Sequence, residues 1–146
     1  MNKYDDLEMV VLNCFLINPE LMENTILEDK HFLKNKRMWK FMKSFYNKFK
    51  TFDMHLMASV CKDKYQIVEY VSLLLEYDPD YKNFELYQKR LIEMCEEKEK
   101  DDWIIERVFK NANDLYVRKI SLDEFKEKNE KIYNDAEKIF EKSVKS

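Results

Sequence analysis

Apolar residues recur along this chain at steps of three and four, the spacing that lines one face of a helix. Leu7, Val10, Val11, Cys14 and Phe15 predict a first helix that ends before Asn18. Asn18 is placed to cap a short second helix, residues 19–27, with Pro19 at its first position. Residues 34–50 split on a helical wheel into an apolar face of Met38, Phe41, Met42, Phe45 and Phe49 and a wet stripe of Lys36, Lys40, Lys43 and Lys50. Asp53 caps a helix reaching Cys61. Asp63 and Gln66 form a capping box ahead of Ile67, Val68, Val71, Leu74 and Leu75, and Asp78-Pro79 stops that helix. Asn83 then caps a long helix carrying Phe84, Tyr87, Leu91, Met94 and Cys95.

The last third predicts two helices folded back on each other. Leu122, Phe125, Asn129, Ile132, Ala136, Ile139 and Ser143 make a heptad seam with a polar residue midway, and Ile105, Val108, Ala112 and Leu115 keep the same spacing. The joint, residues 117–121, is too short for anything but an antiparallel pair, and Ser121 with Glu124 makes a capping box that starts the second helix. Trp103, Ile104, Phe109, Tyr116, Tyr133 and Phe140 fall off this seam. Either the rest of the chain covers them or a second copy does. In the second case Asn129 fixes the register, as a polar seam residue does in coiled coils. The charged run 96–102, with no apolar residue, is either a solvated continuation of the preceding helix or a hinge before the hairpin.

Composition sharpens this outline. Among 146 residues there is no glycine where an average chain holds roughly ten, so turns fall to Asn, Asp, Ser or Pro, which suits helices with short joints. The expected fold is all-α: a small globular helical bundle over residues 1–98 followed by an antiparallel helical hairpin over 99–146, the dimerisation arm. Without glycine neither a Walker phosphate loop nor a dinucleotide fingerprint is possible. Cys14, Cys61 and Cys95 are odd in number, far apart and set among apolar residues, which reads as reduced core thiols. No apolar run approaches a membrane span, and the acidic N-terminus lacks the basic flank of a signal peptide, so the expected location is the cytoplasm.

Candidate chemistry is sparse. His31 and His55 have no partner at metal-ligand spacing, the carboxylates are scattered, and no nucleophile motif stands out. The expectation is no catalytic, cofactor or metal site. One charged feature exceeds background: residues 34–50 hold seven basic residues and no acidic one in a chain of net charge −3, leaving −10 for the remainder. The stripe of Lys36, Lys40, Lys43 and Lys50 is either the wet side of an amphipathic helix or a face for phosphates or an acidic partner. Direct DNA contact stays open.

The ordered pieces match a known family. The stretch Val11-Leu12-Asn13-Cys14-Phe15-Leu16-Ile17-Asn18-Pro19-Glu20-Leu21 resembles the opening Val-Leu-Gly-Ala-Leu-Leu-Leu-Asp-Pro-Glu-Leu of the N-terminal domain of DnaB-family replicative DNA helicases. Phe32 and Phe41 sit where that family has an aromatic pair around His-Arg-x-Ile, with Arg37 in place of the histidine. Phe52-Asp53 with Met57-Ala58 is similar to its Ile-Asp-x-x-Thr-Leu-Ala, Tyr70-Val71 to its Tyr-Leu, and Pro79, Asn83, Glu85 and Tyr87 to its Pro-x-x-x-Asn-x-Glu-x-Tyr. The usual glycines are replaced, Asn13 among them, and the threonine is Leu56. The chain thus resembles a divergent member, encoded by a phage or mobile element.

The resemblance implies a non-catalytic module of DNA replication. In the family this domain pairs through its hairpin, helps build the helicase ring and docks primase, while the ATP-driven motor is a separate domain. The implied partners are therefore a second copy, and a primase, helicase or helicase loader, with no cofactor. The alternative is a free-standing phage-type regulator that imitates this domain and modulates helicase loading or primase recruitment.

Overall fold

The computed structural model describes residues 3–74, 76 and 81–145, and among them every regular element is helical. The α-helices are α1 (Lys3–Ile17), α2 (Leu21–Asn24), α3 (Lys36–Phe49), α4 (Met54–Val60), α5 (Lys64–Leu74), α6 (Phe84–Tyr116) and α7 (Leu122–Lys145). The expected all-α class is what the chain adopts. It divides into two compact units, Met1–Ile92 and Glu93–Ser146, with the division falling inside α6. The Asp78-Pro79 stop, Leu75 and the side chains of Leu74 and Ser143 lie outside the described residues.

The first unit is built around α1. Val11, Leu12, Cys14 and Phe15 have no exposed surface, and Glu8, Met9 and Asn13 are buried beside them, so residues 8–15 are enclosed on nearly all sides rather than amphipathic. α3 supplies the aromatic layer. Trp39 is fully buried, stacked on Phe32 at 4.7 Å between ring centres and tilted against Phe15 at 5.7 Å, while Phe84 meets Phe15 edge-on at 5.1 Å. The Trp39 indole N–H donates to Asp29 Oδ1 at 2.8 Å, so its polar tip is satisfied. α4 packs on α5 and α5 on α1, bringing Met57, Ile67 and Val71 into the same core. The expected apolar face of α3 is present, and Trp39 and Tyr46 widen it.

Polar groups fix the joints. Glu8, fully buried, accepts backbone N–H bonds from Leu33 at 3.1 Å, Lys34 at 3.2 Å and Asn35 at 3.0 Å, immediately before α3. A carboxylate there meets the unpaired amides and the positive end of the helix dipole. Burial nevertheless outweighs these bonds and raises the Glu8 carboxyl above its usual range. Asp53 caps α4 through Leu56 N–H at 3.0 Å, and Asp63 caps α5 through Gln66 N–H at 3.0 Å, both as the sequence predicts.

Three expectations are corrected. The second helix is only Leu21–Asn24, because Thr25 is extended: its hydroxyl donates to the buried Gln88 Oε1 at 2.6 Å, and Ile26 N–H donates to the same oxygen at 3.2 Å. That long-range bond holds the strand-like stretch ahead of Leu27. The turns are not left to Asn, Asp, Ser and Pro alone. Lys50 (φ 58°) and Arg118 (φ 60°) take left-handed conformations at the ends of α3 and α6, where glycine is usual. Finally, Cys14 and Cys95 are buried thiols as expected, but Cys61 is only half-buried.

Candidate functional site

In the second unit, α6 runs without interruption through the charged stretch, which is thus a helical continuation. Lys98 bonds Asp102 at 2.6 Å along the helix. At the end of α6, Arg118 N–H donates to Leu115 O at 3.0 Å and Lys119 N–H to Asp114 O at 2.8 Å, the paired bonds of a Schellman stop with arginine in the glycine position. Glu124 N–H then donates to Ser121 Oγ at 3.1 Å, so Ser121 caps α7 as expected, while the return contact of the box runs from the Ser121 hydroxyl to the Glu124 carboxylate at 3.4 Å and not from the backbone N–H.

α7 returns antiparallel to α6. Lys100 pairs with Glu137 at 2.6 Å, Trp103 meets Phe140 edge-on at 6.2 Å, and Asn111 Nδ2 donates to Asn129 Oδ1 at 3.1 Å. The seam on α6 is Ile104, Val108, Asn111 and Leu115, all at least half-buried, facing Phe125, Asn129, Ile132 and Ala136 on α7. This corrects the sequence assignment on α6. Val108 and Leu115 keep their places, but Ile105 is 58% exposed and Ala112 is exposed, because Ile104 and Asn111 take the other two positions, a rotation of the seam by about 50°. On α7, Ile139 is exposed and Phe140 takes its place inside.

The displaced residues form a second row. Ile105, Phe109, Ala112 and Tyr116 step by four, three and four along the outside of α6, and Phe109 is 75% and Tyr116 86% exposed. In an antiparallel pair, positions just C-terminal to each seam lie on one common face of the hairpin. Tyr133 follows Ile132 in that way, and Leu122 precedes Tyr133 by three helical turns, so these half-exposed side chains flank the α6 row.

The six residues assigned to self-association therefore separate. Phe109, Tyr116 and Tyr133 stand on the outer face. Trp103 and Phe140 are half-buried against each other, with the Arg107 guanidinium 3.9 Å over the Trp103 ring. Asn129 lies inside the hairpin, where its side-chain oxygen accepts from Asn111 and so marks the register of α6 against α7. Asn111 had no apolar signal to mark it.

Lys36, Lys40, Lys43 and Lys50 are all exposed. Lys40 lies 3.9 Å from Asp29 and Lys50 3.8 Å from Glu23, while Lys43 lies over the Trp39 ring at 5.9 Å. Half of the stripe is thus partly neutralised by neighbouring carboxylates. His31 is a buried structural residue: its Nδ1 accepts Glu28 N–H at 2.8 Å. Among the described residues no three His, Cys, Asp or Glu side chains gather to hold a metal ion, and no helix is long and apolar enough to cross a membrane. Comparison with protein-family models, curated proteins and solved structures finds no significant match.

Proposed function

We propose that this chain is a non-catalytic docking module that self-associates through the outer face of its hairpin and serves DNA replication as a DnaB-type N-terminal domain does. One observation carries the self-association half: the row Ile105, Phe109, Ala112 and Tyr116, continued by Leu122 and Tyr133, which the hairpin itself leaves wet. Each large apolar side chain removed from water contributes on the order of 1.5–3 kcal/mol. A heptad-spaced row on a rigid helix fits a second copy of itself, giving a four-helix arrangement. The replicative half rests on the sequence resemblance over α1 and the segments that follow it. In this reading the partners are a primase, a helicase or its loader, and the reaction belongs to them.

The test is a reconstituted DnaB-type helicase, loader and primase reaction to which the chain is added. The expected outcome is a change in helicase loading or in helicase-dependent primer synthesis, lost in a Phe109→Glu, Tyr116→Glu variant. Unchanged loading and priming at about tens of micromolar chain would overturn the replicative reading.

A further inference from the structure

A concavity in the first unit lies where α3 meets the joint between α4 and α5. It is a groove of about 530 Å³, within the range of roughly 300–1,000 Å³ typical of binding sites. Its apolar surface comes from Met38, Phe41, Val60, Ile67 and Tyr70. Val60 is 47% exposed at the edge, and Cys61 stands half-buried on the wall. The rim carries Lys34, Arg37 and Lys62, exposed cations whose side chains have no carboxylate partner among the described residues. The rim carboxylate, Asp63, already accepts Gln66 N–H as the cap of α5.

This chemistry selects an occupant. An apolar floor ringed by cations has the layout of a protein interface, with an anchor region inside and a charged rim outside. A compact small-molecule site would aim several polar groups inward. Here the Tyr70 hydroxyl and Asn35 are bonded to each other, and Asn35 N–H and Nδ2 are turned to Glu8. Single-stranded nucleic acid would require rings presented flat to the solvent. Phe41 is partly buried against Phe45 at 5.9 Å, and Tyr70 is partly buried in the core. Thiol chemistry is disfavoured too, since burial and the Asp63 carboxylate push the Cys61 thiol up and keep it protonated.

We infer that this groove docks a short acidic segment of a protein partner, with apolar side chains seated on Met38, Phe41 and Ile67 and carboxylates meeting Lys34, Arg37 and Lys62. The three rim cations outnumber the one rim carboxylate in a chain whose net charge is −3, so the site is a net positive patch that draws an acidic ligand while the remainder repels it. The inference goes beyond self-association of the hairpin and does not depend on it.

The experiment is selection of displayed random short peptides on the immobilised full chain, followed by affinity measurements on synthetic copies of the enriched sequences. The expected pool combines apolar anchors with net negative charge. Its members bind an Arg37→Glu, Lys62→Glu variant at least about tenfold more weakly, because like charges then face each other. They bind a Phe109→Glu, Tyr116→Glu variant unchanged, and they slow alkylation of Cys61. An unaltered melting temperature of the Arg37→Glu, Lys62→Glu variant keeps loss of binding separate from loss of fold. No enrichment, a neutral or basic pool, or affinity indifferent to the rim reversal would overturn the inference. So would a single-stranded oligonucleotide whose binding the same variant abolishes while no peptide is enriched.

Discussion

The two units bury their aromatic residues differently. In the first, Trp39, Phe15 and Phe32 are completely enclosed, and the buried Glu8 and Gln88 are bonded to backbone amides. In the second, the buried side chains are Met94, Cys95, Asn111 and Ala136 among the described residues, none of them aromatic, while Phe109 and Tyr116 stand in water. A fold that spends its aromatics on its own core is complete by itself. A hairpin that seats Trp103 against Phe140 but leaves Phe109 and Tyr116 outside has surface available for another molecule.

Truncation of a ring should separate the units most sharply. Trp39→Ala removes the centre of the aromatic layer and leaves Asp29 without its indole donor, so a loss of about 3–5 kcal/mol in denaturant unfolding is expected. Phe109→Ala removes an exposed ring and is expected to change monomer stability by no more than about 0.5 kcal/mol. Equal losses at both positions would erase the distinction.

Glu8 gives the next effect. Glu8→Ala strips the acceptor from three backbone amides ahead of α3 and is expected to cost about 2–4 kcal/mol. Its pH dependence has a definite sign. The folded-state carboxyl titrates above its unfolded value, so the native state binds the proton more tightly, and this group favours folding increasingly as pH falls through the folded value toward the unfolded one. The melting temperature of the wild type relative to Glu8→Gln should therefore rise on going from about pH 7 toward about pH 5. A relative fall would mean that the amide bonds outweigh burial.

A smaller change is expected inside the hairpin. Asn129→Leu leaves Asn111 without its partner and removes the polar register mark, so a loss of about 1–2 kcal/mol is expected, together with altered amide exchange along α7. Arg118→Gly acts the other way. Relief of the left-handed residue that ends α6 should stabilise the hairpin by about 0.5–1 kcal/mol, read as a higher melting temperature.

Local signals in the sequence carried much of this architecture. The caps at Asp53, Asp63 and Ser121 and the apolar face of α3 are each written within a few residues, and the structure has them. What periodicity missed depends on partners distant in the chain. Glu8 reads as one more surface acid until Leu33, Lys34 and Asn35 are folded over it. Asn111 reads as polar surface until Asn129 faces it, which is why periodicity alone puts Ile105 and Ala112 in the α6 seam where the structure has Ile104 and Asn111. The two left-handed ends escaped for another reason. Neither Lys50 nor Arg118 is of a type that announces positive φ, and the absence of glycine left no marker. The basic stripe was visible as charge, but the carboxylates beside Lys40 and Lys50 were not.

The central claim is that the outer row of the hairpin is covered by a second copy of the chain. Sedimentation velocity over a concentration series compares the wild type with Phe109→Glu, Tyr116→Glu, two changes at exposed positions. The account predicts that the wild type shifts from monomer to dimer by about tens of micromolar, while the variant keeps its melting temperature and stays monomeric. A wild type that remains monomeric throughout, or a variant that dimerises equally well, would contradict it.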